Sequence, residues 1–130
     1  MHADLTEAFE LLLEAPERSE TLARAVLARG DDPGARLLLS AARRLQGDHL
    51  TAAMEAGKVA VAHPNWAGAQ FEVALALNGQ RNYRGALERL AIVERLGGVP
   101  GLWRAAGDAH WALGDKARAD QAYMRHVDSH

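Results

Sequence analysis

Apolar residues recur along this chain at the three- and four-residue spacing of an amphipathic helix, in eight segments separated by short polar turns. Asp32-Pro33, His63-Pro64-Asn65 and Gly97-Gly98-Val99-Pro100 are among these turns. Such residues end one helix or begin the next. The pattern predicts an all-α chain with helices near 3–14, 18–29, 33–46, 50–62, 66–79, 83–96, 101–113 and 116–128.

The predicted helices form pairs that repeat about every 34 residues, the period of a helical-repeat array. The Asp or Asn between the two helices of a pair is suited to a helix N-cap, and an alanine follows four residues later. Gly47 and Gly114 are suited to the left-handed position that ends the preceding helix. The three copies have Asp48-His49 with Ala52, Asn82-Tyr83 with Ala86, and Asp115-Lys116 with Ala119.

The first 32 residues are less regular but can hold one further pair. Leu5, Phe9, Leu12 and Leu13 predict an apolar stripe, and Pro16 interrupts the helix that carries it. We therefore expect residues 1–130 to form a single domain, which comprises a degenerate pair at 1–32 and repeats at 33–66, 67–99 and 100–130.

Residues 33–130 resemble the tetratricopeptide repeat family, whose signature is Trp-x2-Leu-Gly-x2-Tyr, then Ala-x3-Phe, then Pro. The 100–130 copy matches best, with Trp103-x2-Ala106-Gly107-x2-His110 and Ala119-x3-Tyr123. Small residues recur at one place in each copy, and so do the alanines: Ser40, Ala74 and Gly107, with Ala52, Ala86 and Ala119. The order of this region is similar to the N-terminal repeats of bacterial proteins that fuse such repeats to a sulfotransferase domain.

The resemblance implies a right-handed helical solenoid, in which the first helix of each pair lines a concave groove. It also implies that the signature residues pack inward and that the stripe one residue further round each first helix faces the groove. A protein or peptide partner would bind there. The predicted groove residues are Arg44, Phe71, Leu75, Asn78, Arg104, Asp108 and Trp111.

Two interpretations of these residues stay open. Aromatic and Arg side chains are frequent anchors in binding interfaces, which favours a groove for an extended peptide or an amphipathic helix with an apolar face. Alternatively, Phe71 and Trp111 pack between adjacent repeats and the charged residues only solvate an exposed surface. Leu37 and Ala41 stand where a carboxylate clamp would need cationic or amide donors, so the sequence argues against that mode.

Composition and charge narrow the classes of function. Fifteen Lys and Arg against seventeen Asp and Glu give a net charge of −2, which does not favour a nucleic acid or an anionic membrane as partner. There is no Cys, hence no disulfide or thiolate metal site. The apolar runs are too short to span a bilayer, and no export signal is present in the sequence. We expect a cytoplasmic protein that uses no cofactor.

No set of residues in the sequence predicts an active site. Asp108 and His110 point to different faces of one helix, so they cannot act as a dyad. His126 and His130 have the spacing of two metal ligands but have only Asp128 as a further ligand nearby in sequence. We therefore expect a non-catalytic interaction module.

Three further expectations concern the context of the chain, its charge and its assembly. One alternative is that the chain is a regulatory or substrate-positioning segment of a larger enzyme such as a repeat–sulfotransferase fusion, and another, less favoured, is a helical-repeat RNA binder. The glutamates at 7, 10, 14, 17 and 20 predict a solvated acidic surface that could steer a basic partner. Apolar residues in the 100–130 pair predict an uncovered edge, and either a homodimer, which we favour, or a missing downstream repeat would cover it: Leu102, Leu113, Tyr123 and Val127.

Overall fold

The computed structural model describes residues 3–128, which form eight α-helices and contain no β-strand. The all-α prediction is confirmed. The largest difference in bounds is in the first helix, which ends at Leu11 instead of near residue 14, because the chain turns ahead of Pro16. The helices are α1 (Ala3–Leu11), α2 (Pro16–Leu27), α3 (Pro33–Leu45), α4 (His49–Ala62), α5 (Ala67–Gly79), α6 (Tyr83–Arg95), α7 (Leu102–Ala112) and α8 (Lys116–Asp128).

The turns α3–α4, α5–α6 and α7–α8 share one backbone conformation. In the first, the Asp48 N–H donates to the Arg43 carbonyl (2.9 Å) and the Gly47 N–H to that of Arg44 (3.0 Å). The same two bonds recur in the other turns. The residue before the N-cap is left-handed each time: Gly47 (φ 87°), Arg81 (φ 62°) and Gly114 (φ 80°).

The predicted N-caps are confirmed. The Asp48 Oδ1 accepts from the Thr51 N–H (3.1 Å), and the Asn82 Oδ1 accepts from the Gly85 N–H (3.1 Å). The Asp115 Oδ1 accepts from the Arg118 N–H (3.2 Å). Each cap satisfies one of the free N–H groups at a helix start, so the polar residues that punctuate the sequence also set where the helices begin.

Every helix packs against the next one along the chain, and the odd-numbered helices also pack against one another in succession. No two even-numbered helices of the described part are in contact. The odd helices therefore form one continuous layer, and the even helices stand apart on its other side.

Small residues let the two helices of a pair approach closely, as predicted. Ser40 is fully buried and its hydroxyl donates to the Ala52 carbonyl of α4 (2.7 Å). Ala86 and Ala119 are fully buried too, and Gly107 lies against the Tyr123 ring. The close contacts leave an alanine-rich core with few large side chains.

An equivalent contact fixes the alignment of the first pair. The buried Ser19 hydroxyl of α2 donates to the Ala8 carbonyl of α1 (2.6 Å). Ala8 therefore corresponds to Ser40, and Ser19 to Ala52, with the chain between them one residue shorter. Phe9 and Leu13 then correspond to Ala41 and Leu45.

The described helices are all too short or too polar to cross a membrane.

Candidate functional site: the odd-helix face

The side of α1, α3, α5 and α7 that is turned away from the even-numbered helices is called here the odd-helix face. It is the surface to which the sequence interpretation assigns the groove residues. Several of them are already engaged in contacts between neighbouring odd helices.

Arg44 of α3 is held by an ion pair with Glu72 of α5. Its Nε lies 3.1 Å from Oε2 and its Nη2 lies 3.2 Å from Oε1, so one edge of the guanidinium binds both carboxylate oxygens. Both side chains are mostly buried. Arg44 thus joins two odd helices, and its charge is already paired with that of Glu72.

Asn78 and Phe71 of α5 contact α7. The Asn78 Nδ2 donates to the Ala105 carbonyl (3.3 Å), while its buried Oδ1 has no partner among residues 3–128. The Phe71 ring faces Gly101, where a Cβ would lie 3.4 Å from Cζ. Leu75 and Phe71 are both partly buried against the core cluster formed with α7. These three residues fill the contact between odd helices and leave part of their surface on the face.

Asp108 of α7 accepts a 2.7 Å hydrogen bond from the Tyr123 hydroxyl of α8. Burial of the Tyr123 hydroxyl, together with this bond to a carboxylate, raises the pKa of Tyr123 to about 12. Asp108 is itself exposed. Its charge is available to solvent on the odd-helix face, although one oxygen is already bonded.

Arg104 and Trp111 are both exposed on α7. Counting one repeat back, Arg104 corresponds to Phe71 and Trp111 to Asn78, two of the residues with which α5 contacts α7. The side of α7 that carries Arg104 and Trp111 therefore points away from α5, where residues 3–128 provide no further helix. This pair therefore lies at one edge of the odd-helix face, on the side of α7 that is turned away from α5. The contacts of Arg44, Phe71, Leu75 and Asn78 lie between α3, α5 and α7.

Phe9 of α1 also belongs to this face, and Leu13 lies in the turn directly after α1. The sequence interpretation included neither of them in the groove. Leu5 and Leu12 of the predicted stripe pack into the core, whereas Phe9 is 62% exposed and Leu13 is 83% exposed. By the alignment through Ala8, they correspond to Ala41 and Leu45 of α3. Leu45 is exposed as well. The irregular length of the first turn hid this correspondence in the sequence.

The predicted acidic surface divides into two parts. Glu7, Glu10, Glu14 and Glu17 are exposed. Glu20 instead joins α2 to α3, since its carboxylate accepts from Arg43 (3.1 Å) and Gln46 (2.9 Å) as well as from Arg24 (2.7 Å). Burial raises the pKa of Glu20, but these hydrogen bonds outweigh it and leave the pKa below its usual value. Glu20 is thus a structural residue, and the expectation that it only solvates the surface is wrong.

The residues considered for catalysis or metal binding are not brought together. Asp108 bonds to Tyr123, whereas His110 lies on the other side of α7 with Trp103. No group of three or more metal-ligating side chains occurs within residues 3–128. His130, the second ligand of the histidine pair considered above, lies outside the described residues.

Comparison with known proteins adds no assignment. No protein-family model matches the sequence, and no curated protein matches it significantly.

Proposed function

We propose that this chain is a protein-interaction module of the tetratricopeptide type, a right-handed solenoid whose concave groove is the odd-helix face. The proposal is supported by the recurrence of equivalent contacts at the repeat spacing. The same turn conformation occurs between α3 and α4, between α5 and α6, and between α7 and α8. The Ser40–Ala52 contact has its counterpart in the Ala8–Ser19 contact. A regular repeat of contacts is what makes a stack of helical pairs curve uniformly.

The observation that carries the functional proposal is the exposure of Phe9 on α1, Leu13 in the turn after it and Leu45 at the end of α3. Since α1 and α3 pack against each other, we expect these side chains to contribute to one apolar surface. A patch of large apolar side chains on one continuous layer favours a partner that brings its own apolar residues. The partner we propose is a peptide segment with two or more large apolar residues.

The charge around this patch specifies the partner further. Glu10 directly follows Phe9 and Glu14 directly follows Leu13, both are exposed, and Glu7 and Glu17 extend the acidic surface. Arg44 of α3 is already paired with Glu72. The apolar segment is therefore one with Lys or Arg next to its apolar residues, and its association is steered by charge.

The even-numbered helices also expose apolar residues, and they serve as the matched control. Leu50, Met54 and Val61 form a stripe along α4. Because α4 contacts no other even-numbered helix, this stripe is isolated on a single helix. It offers less continuous apolar surface than the layer of odd helices, and we assign it no binding role.

The test is a selection of random peptides displayed on phage against the immobilised protein, followed by affinity measurements on the selected peptides. Leu13→Ser and Phe9→Ser should each weaken binding by about thirtyfold, the loss expected of an interface anchor. The controls Met54→Ser and Val61→Ser should stay within about twofold, and selected peptides should carry net positive charge. Loss of binding in the α4 variants alone, or a selection that yields no binding peptide, would overturn the proposal.

A further inference from the structure

The surface that α7 and α8 present away from α5 and α6 is called here the α7–α8 edge. In the preceding pair, α5 and α6, the corresponding surface is covered by α7. Leu87 and Leu90 of α6 pack in the core cluster with Leu102 and Ala106 of α7. No described helix covers their counterparts on α8. The residues of the edge are Arg104, Trp111, Asp120, Tyr123, Met124 and Val127.

The α7–α8 edge exposes large apolar side chains to solvent. Trp111 is 58% exposed, Met124 is 61% exposed and Val127 is 65% exposed. Of the residues that the sequence assigned to it, Leu102 is buried in the core and Tyr123 is partly buried. Three large apolar side chains are thus exposed on two adjacent helices, and exposed apolar surface is what marks interaction sites.

The outer surface at the other end of the stack is formed by α1, and it carries a charged residue where the other odd helices have an apolar one. Through the alignment at Ala8, Glu7 stands where α3 has Leu39 and α5 has Val73, both of which are buried. Glu7 is exposed. If the α7–α8 edge packed on α1 of another copy, Glu7 would be buried without a partner, at a high cost in desolvation. Head-to-tail stacking of copies is therefore disfavoured.

The edge is instead complementary to itself. Arg104 and Trp111 lie seven residues apart on α7, which places them on one side of the helix about 10 Å apart along its axis. If α7 packs antiparallel on α7 of a second copy, about a two-fold axis near Asp108, each Arg104 meets the Trp111 of the other copy. Arg104 is suited to this contact because it has no ion-pair partner within residues 3–128.

A contact of the same kind already exists inside the chain. The Arg125 guanidinium of α8 lies 4.5 Å from the centre of the Trp103 ring of α7. Such a cation–π contact is strengthened when it is removed from water. Two of them, related by the two-fold axis, would flank the apolar side chains of Met124 and Val127.

We propose that two copies of this chain associate through the α7–α8 edge, with α7 antiparallel to α7 and reciprocal Arg104–Trp111 contacts. An isologous contact of this kind closes on itself and yields a dimer without further growth. It also brings the two Asp108 carboxylates near the axis, where the Arg104 guanidinium groups one helical turn away offset their repulsion. The inference does not rest on the proposed peptide contact at Phe9, Leu13 and Leu45, since it concerns the other end of the layer of odd helices and a different occupant.

Sedimentation equilibrium of the full chain tests the proposal. The wild-type protein should be a dimer that dissociates on dilution, and Trp111→Ala or Arg104→Ala should raise the dimer dissociation constant at least about thirtyfold. Met54→Ala, an equally exposed apolar residue on α4, should leave the constant within about twofold. Circular dichroism should be the same for all four proteins.

The exchanged variant Arg104→Trp/Trp111→Arg is the most specific test of the antiparallel arrangement. In the antiparallel arrangement each introduced indole again meets an introduced guanidinium of the other copy, so dimerisation should return to within about fivefold of wild type. A wild-type protein that is monomeric, a dimer unaffected by Trp111→Ala, an exchanged variant no better than the single changes, or growth beyond a dimer would each overturn the proposal.

Discussion

Arg44 and Glu72 lie 28 residues apart in sequence, yet the Nε and Nη2 of Arg44 bond to the two carboxylate oxygens of Glu72, at 3.1 and 3.2 Å. The pair joins α3 to α5, and the Asn78–Ala105 hydrogen bond joins α5 to α7 at the corresponding place one repeat later. The odd-numbered helices are thus held together by polar bonds as well as by apolar packing.

Arg44→Met should destabilise the protein, because it leaves the mostly buried Glu72 carboxylate without its partner. We expect a loss of about 1–3 kcal/mol in the free energy of unfolding by urea. Arg44→Met/Glu72→Leu removes both charges together and should recover most of this loss. A double variant as unstable as the single one would show that the ion pair is not what holds these helices.

Gly107→Ala should destabilise the protein, since the added Cβ would overlap the Tyr123 ring. The expected loss is about 1–3 kcal/mol, as for other overpacked contacts. Gly57→Ala is the matched control, because Gly57 is also helical and a Cβ there meets nothing within 4 Å. It should stabilise the protein by about 0.5–1 kcal/mol through helix propensity alone. Equal effects in thermal melts would contradict the close approach of α7 and α8.

Arg81→Gly should stabilise the protein. Arg81 has φ 62° in the α5–α6 turn, where the equivalent residues Gly47 and Gly114 carry no Cβ penalty. We expect a gain of about 0.5–1 kcal/mol, after allowing for the greater freedom of Gly in the unfolded chain. Arg84→Gly, in the first turn of α6, should instead destabilise by a similar amount. Destabilisation by both changes would show that the turn does not strain Arg81.

Stability should fall in acid partly through Asp48. Hydrogen bonds from Thr51 and Arg43 lower the pKa of Asp48 from its ordinary 3.8 to about 2. Because the folded pKa lies below the unfolded one, this contribution is complete above about pH 3.8 and is lost as the pH falls towards 2. Asp48→Asn keeps a capping oxygen and removes the titration. Its stability should therefore depend less on pH in this range, and an unchanged pH dependence in urea titrations would contradict the assignment.

The fold was largely predictable from the sequence because its signals are local. The N-caps Asp48 and Asn82 and the glycines at turns act within a few residues of their positions, and the alanine spacing reports the period directly. The bonds across repeats were not predictable in this way. Nothing in the spacing of Arg44 and Glu72 distinguishes a bound pair from two solvated charges, since their contact depends on how two helices from different repeats meet.

The candidate site was predictable only in part for a similar reason. The groove residues of α3, α5 and α7 follow from the repeat, but those of α1 do not. The chain between Ala8 and Ser19 is one residue shorter than that between Ser40 and Ala52, and the sequence pattern groups Phe9 and Leu13 with Leu5 and Leu12 in one apolar stripe. Only the serine contact in the structure aligns α1 with the other odd helices and assigns Phe9 to the exposed face.

The most direct test of the central claim, that the odd-helix face binds peptides, is an amide chemical-shift map of the 15N-labelled protein titrated with a selected peptide. The largest shift changes should fall on α1 and α3, around Phe9, Leu13 and Leu45, and extend to α5. Amides along the exposed side of α4, around Met54 and Val61, should change little. Changes concentrated on α4, with α1 and α3 unaffected, would contradict the account.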